Sequence, residues 1–318
     1  MSSCKQNFEC LKIVLVIAAV LLAVVCTKAQ EGTRAVTSSD FTRNRPESDA
    51  LGGKTAGAPN GGRTTPVHKP RSYRLTTKPV TTRTKSPGPQ TPKNTRPSET
   101  EVAQLGVTIW RLRPAQSPDT ATRQLVRDEK SGATTAWIPQ RVASDTVLRG
   151  GDRVRISIES PRDGYLYVVD RDEFADGRSG AINLIFPLAG EDNHVYAGRL
   201  IDIPSPDGSL KANPAPNQSG EILSIIVSDK PLSLPLTSDV LPISRAQLQE
   251  WEKTWGGATE IWEMEGGAGE AWTPQEKAAA AKNGTRQLTR DDPPPQTIYR
   301  VSTSDNQAML VNVRLKYQ

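Results

Sequence analysis

The sequence predicts a mainly β protein: an antiparallel β-sandwich (Ig-like) with a short helical insertion, preceded by a signal peptide and a disordered basic linker. Three observations carry that expectation. Short apolar runs recur at about one per dozen residues between Leu105 and Ser228, the spacing of sandwich and barrel strands. Gly, Pro, Asn and Asp separate the runs, and these are the residues that close turns. Only the stretch 244–295 changes to a helical period.

The elements follow in chain order. Residues 1–29 carry Lys5 and Lys12 ahead of an apolar run from Ile13 to Cys26. That run is shorter than the ~20 residues a membrane-spanning helix needs. Ala29, with Thr27 two positions before it, fits cleavage ahead of Gln30, so a secretory signal peptide is expected. The protein is then exported: periplasmic, at the cell surface or secreted. Two alternatives stay open, a retained inner-membrane anchor and lipidation at Cys26. Ala23, Val24 and Val25 match a lipidation site poorly, because the residue before such a cysteine is normally Gly, Ala or Ser. All three cysteines, Cys4, Cys10 and Cys26, lie in this segment. A chain cleaved at Gln30 has no disulfide, no thiolate nucleophile and no cysteine-held zinc.

Residues 30–103 read as the disordered Pro/Thr/Lys/Arg-rich linker. Between Leu51 and Ser98 there are ten Lys or Arg, eight Pro, ten Thr and no acidic residue. Apolar residues are too sparse there to form a core. A flexible chain of this length spans roughly 40 Å. The linker reads as a spacer, and its charge suits contact with an anionic surface. Specific nucleic-acid recognition is not expected, since only Tyr73 is available to stack on a base. The whole chain has 40 Lys+Arg against 35 Asp+Glu, yet residues 99–318 hold 24 against 30, a net −6. The basicity belongs to the linker.

Residues 104–243 read as the sandwich. In Leu105–Arg113, Leu105, Val107 and Ile109 share one parity; Thr134–Ile138 and Val142–Leu148 are weaker strands. Asp152–Ser160 alternates, with Val154, Ile156 and Ile158 on one face and Arg153, Arg155 and Glu159 on the other, which predicts one buried and one wet face. Pro161, Arg162, Asp163 and Gly164 form a turn. Tyr165–Asp170 is apolar on both parities and should be central. Further strands are expected at Ala181–Phe186, Val195–Ile203 and Glu221–Ser228. Residues 244–295 read as the helical, Trp-rich insertion. Ser244 caps a stripe of Leu248, Trp251 and Trp255. Thr273, Pro274 and Glu276 spell a capping box with proline at the first helical position. Residues 296–318 supply two strands, Ile298–Val301 and Met309–Tyr317, that rejoin the sandwich.

The stretch from Val147 to Pro231 resembles a bacterial family, the domain-of-unknown-function family numbered 4384. The resemblance is carried by LRGGDRVRISIESPRDGYLYVVDRD, INLIFP, DNHVYAGRLIDIP and GEILSIIVSDKPL. It implies an extracytoplasmic β-sandwich of a kind often attached to other domains, and no activity. A signal peptide and tether stand ahead of the domain, so the chain looks like a stand-alone, exported form.

Candidate sites are few. With two histidines, His68 in the linker and His194 at a strand start, a histidine-based triad or metal site has little to work with. Asp170, Asp172 and Asp176 are the alternative for a metal, but their spacing fails the calcium loop, since position 5 from Asp170 is Phe174. A solvated hairpin loop is the plainer reading. Trp251, Trp255, Trp262 and Trp272 are candidates for an aromatic binding surface, and equally for covering an edge or face of the sandwich. No cofactor is expected. The expected function is an exported, non-enzymatic module that binds a protein or cell-envelope polymer. A carboxylate-based glycan hydrolase or a purely structural envelope component is the alternative.

Overall fold

Successive side chains of a strand point to opposite faces, so residues of alternating parity must each find a separate environment. A computed structural model describes residues 38–48, 73, 75–78, 101–116, 123–127, 134–204, 208–280, 287–303 and 307–318. These belong to one unit, Thr37–Gln318; the other unit, Met1–Val36, lies outside the described residues, and with it the expected signal peptide.

The first sheet contains β1 (Leu75–Lys78), β2 (Glu101–Pro114), β3 (Gln124–Arg127), β4 (Thr134–Val142), β6 (Arg153–Glu159), β10 (Leu200–Ile203), β11 (Leu210–Lys211), β14 (Ala258–Met264) and β15 (Thr297–Thr303). Long β2 organises it. Ile109 is opposite Val142 on one edge and Ile156 on the other, while Gly106 is opposite Ile298 and Glu159. Thus β15 and then β4 run along one edge of β2, and β6 along the other. The second sheet contains β5 (Val147–Leu148), β7 (Gly164–Phe174), β8 (Ser179–Phe186), β9 (His194–Val195), β12 (Gln218–Ser228), β13 (Leu241–Pro242) and β16 (Ala308–Tyr317). Its path is β13-β8-β7-β12-β16-β5, antiparallel except for β16 with β5. The fully apolar start of β7 sits between β8 and β12, as its two apolar faces require.

Leu105, Val107, Ile109, Ile156 and Ile158 of the first sheet pack against Leu166, Val168, Ile225, Val311 and Val313 of the second. This is a β-sandwich. The outer face of the second sheet, with Tyr167, Val169, Leu184 and Leu310, is covered by Leu248 and Trp251 of α2 (Arg245–Trp255). The Ser244 hydroxyl caps this helix by accepting from the Gln247 N–H.

The outer face of the first sheet departs from expectation. Arg155 and Glu159, expected with Arg153 to face water, are buried, as is Ser157 between them; Arg153 is half-buried. A second layer covers them: residues 38–48, which include α1 (Ser38–Thr42), together with α3 (Pro274–Ala279) and the Pro293–Pro295 run. Polar residues at strand parity look wet in the sequence because nothing local signals the layer above them. The charges are compensated. Arg45 Nε and Nη2 donate to the two Glu159 carboxylate oxygens at 2.7 Å each, and its Nη1 donates to the carbonyls of Thr289 and Asp292. A bidentate guanidinium–carboxylate pair with its remaining protons satisfied is the form of ion pair that survives burial. Arg141 pairs with Glu276, and Arg155 lies 3.5 Å from Asp202. Gly106 makes the cover possible: a Cβ there would fall 2.5 Å from Pro295 Cγ and 2.7 Å from Phe41 Cζ.

Three further expectations are corrected. Composition predicts disorder from 30 to 103, yet 38–48 docks through Phe41 and Arg45, and Leu75–Lys78 pairs with β14 as a strand. Both pieces bring apolar or pairing-competent residues to a waiting sheet; the rest of that range, apart from Tyr73 and residues 101–103, lies outside the described residues. The helical insertion holds a strand, β14, whose Ile261, Trp262 and Glu263 pair with Tyr299, Ile298 and Thr297 of β15. Expected Val195–Ile203 is broken into β9 and β10 by the turn at Gly198, where φ is +86°.

Candidate functional site

The inner face of the second sheet changes character at one end. Along β7 the inward residues run Leu166, Val168, Asp170, Asp172; along β12 they run Val227, Ile225, Leu223, Glu221. The register sets Leu223 opposite Asp170 and Glu221 opposite Asp172. On β16 the same face runs Val311, Val313, Leu315 and ends at Tyr317. Aliphatic packing therefore gives way to three carboxylates and a phenol over the last two inward positions. Like charges directly across a ladder destabilise a sheet, so this end costs stability.

The sheets do not close over this end. They leave a cavity of about 430 Å3, within the range of small-ligand sites. Its floor is Asp170, Glu221, Leu223 and Tyr317. Its opposite wall, from the first sheet and the segment after it, is Val154, Ile203, Leu210 and Ala212. Exposed Glu191, Lys211 and Val240 mark the mouth.

Burial, then the charges of Glu221 and Asp172, pushes the Asp170 carboxyl up to about 7. Burial and Asp172 likewise raise Glu221, against the hydroxyl of Tyr317 that hydrogen-bonds to it. Burial and these carboxylates raise Tyr317, which keeps the phenol protonated. Asp172 Oδ1 accepts from the Gln218 amide at 3.0 Å. The Arg171 backbone N–H donates to the Asp170 carboxyl, whose buried Oδ1 is left without a partner. The floor is rich in acceptors and short of donors.

The site residues expected from the sequence are placed differently. Asp170 and Asp172 are not in a solvated loop; β7 continues through both to Phe174 and turns them inward. Asp176 stands apart at the exposed hairpin tip, paired with Arg178 at 2.6 Å. Among the described residues no group of three or more metal-ligating side chains is assembled. The four tryptophans do not share a surface. Trp251 and Trp255 stack at 5.8 Å over the second sheet, Trp262 is buried on β14, and Trp272 packs against Trp110 at 5.6 Å over the first. Sequence reasoning misses Glu221 and Tyr317. Their signal is the parity break itself, an acid and a tyrosine where aliphatics precede, which acquires meaning only once the strands are in register.

A β-sandwich with a ligand-sized cavity between its sheets is the class this geometry defines. Residues 147–231 match the model of a family described as Domain of unknown function (DUF4384). That stretch runs from β5 to the segment after β12 and carries Asp170, Asp172 and Glu221. Comparison with the curated proteins and with the solved structures returned no match.

Proposed function

We propose that this chain is an exported, non-enzymatic binding module, and that the cavity between its sheets is where the ligand sits. The single observation that carries this reading is the cavity of about 430 Å3 with one apolar wall and one acidic wall. A concave, mostly apolar site with a few convergent polar groups is the usual form of a ligand site. Export rests on Lys5, Lys12 and the apolar run Ile13–Cys26. The partner is a protein or envelope polymer, and the basic stretch 51–98 adds attraction to an anionic surface.

The test is a panel of soluble glycan fragments and short peptides offered to the full chain and to Leu210→Trp, which fills the cavity. Binding by the natural chain that is lost in the filled variant supports the reading. A panel with no binder removes it.

One observation favours a second reading, a carboxylate-based glycan hydrolase: Asp170 is held protonated up to about 7 beside other acids, as a general acid requires. Turnover of any panel glycan that disappears in Asp170→Asn or Glu221→Gln would establish it in place of the binding module.

A further inference from the structure

The two walls of the cavity ask for different parts of one ligand. On the floor stand Asp170 and Glu221, with Asp172 opposite Glu221 in the ladder beside them; among the described residues these three carboxyls receive the Tyr317 hydroxyl, the Gln218 amide and the Arg171 backbone N–H. Asp170 Oδ1 is left buried without a hydrogen bond. An unsatisfied buried acceptor and repelling carboxylates both lower stability. Among the described residues of the lining the basic one is Lys211, exposed at the mouth. The opposite wall offers aliphatic side chains from Val154, Ile203 and Leu210.

We infer that the cavity takes an organic cation on an apolar stem, an alkylammonium or alkylguanidinium group, with its charged head against Asp170 and Glu221 and within the field of Asp172 beside them. The stem lies along Val154, Ile203 and Leu210. This assignment rests on the reading of the cavity as the ligand site. An ammonium brings three donors and a guanidinium five, which supplies what the floor lacks. A carboxylate, phosphate or sulfate would add negative charge to three acids. A hard divalent ion takes six or more oxygens and leaves an aliphatic wall unused, and no ligating cluster for one is assembled among the described residues. A neutral sugar would leave the charge repulsion in place.

The test uses the full chain and three probes of matched size: pentylammonium, 1-pentanol and pentanoate, with affinities read from methyl NMR shifts of Val154 and Leu223. Hydrogen bonds to charged groups predict pentylammonium at least about tenfold tighter than pentanol, and pentanoate weakest. Asp170→Asn and Glu221→Gln should each weaken pentylammonium about tenfold and leave pentanol unchanged. The probe series needs no variant, so it decides the matter even if one fails to fold. N-acetyl-lysine methylamide distinguishes the two sources of the same chemistry. Its binding assigns the head to a polypeptide side chain, and its exclusion assigns it to a small free amine. Pentanol or pentanoate binding as tightly as pentylammonium overturns the cation and leaves the cavity as a ligand site of another kind. Silence from all three probes also overturns the cation; the ligand-site reading falls only if the glycan and peptide panel is silent as well.

Discussion

Replacing Asp170 with asparagine should make the protein more stable at alkaline pH. In the unfolded chain this carboxyl ionises near 3.8, and in the folded chain near 7. Between those values the folded state holds a proton that the unfolded state has released. Stability from this group is therefore full below about pH 4, falls as pH rises, and is gone above about pH 7. The difference is worth on the order of 4 kcal/mol if Asp170 alone carried it, and sharing of charge with Glu221 and Asp172 makes that a ceiling. Asp202, raised to about 6 by burial beneath the outer layer, adds a fall of the same sign over a lower window. Urea unfolding, followed by tryptophan fluorescence from about pH 5 to about pH 8, should show a steady loss of stability in the natural chain. The asparagine amide cannot ionise, so D170N should keep the Asp202 part of the fall and lose the part near pH 7. Equal slopes for the two proteins between about pH 6 and pH 8 would refute the argument.

The buried ion pairs give sharper losses. Arg45→Met leaves the Glu159 carboxylate buried without its partner, and should lower stability by about 3–5 kcal/mol in urea melts; a change below about 1 kcal/mol would mean that the pair is not buried in solution. Glu276→Ala removes both the partner of Arg141 and the side-chain half of the Thr273 capping box, so its cost should exceed the ~1 kcal/mol of a lost cap alone, measured the same way. Gly106→Val places side-chain atoms where Pro295 and Phe41 stand, and should release residues 38–48 to rapid amide exchange while the inter-sheet core stays protected. For the tryptophans, Trp262 and Trp272 should resist acrylamide, and half-buried Trp255 should account for the readily quenched fraction among these three.

Much of the sandwich is legible in the sequence because its inner faces obey the simplest rule. Val154, Ile156 and Ile158 on β6, and Val311 and Val313 on β16, alternate without interruption, and the caps at Ser244 and Thr273 use side chains with only one good local role. What is not legible depends on contacts between distant residues. Arg155 and Glu159 look the same in sequence whether water or Arg45 faces them, and Arg45 is 114 positions from its partner. Trp110 and Leu112, at the parity opposite Leu105 and Ile109, are the signs in β2 that the outer face is not wet. Likewise β14 carries Trp262 in a Glu- and Gly-rich stretch whose strand form is fixed by β15 and β1 on its two edges rather than by its own propensity. The acidic floor is half visible. Asp170 stands out in the sequence, but Glu221 joins it only through the β7–β12 register.

Residues 38–48 and 75–78 are both held on the first sheet, the former by Arg45 and the latter by pairing with β14. The chain between them is therefore tied at both ends to the same body. A proteolytic cut after Lys54, Arg63 or Arg71 would produce two polypeptides on a denaturing gel and one particle in solution. By the same geometry, a body beginning at Ser72 presents an empty berth shaped for Phe41 and Arg45. A synthetic peptide of residues 38–48, or the same piece of a neighbouring copy, is chemically equipped to fill it.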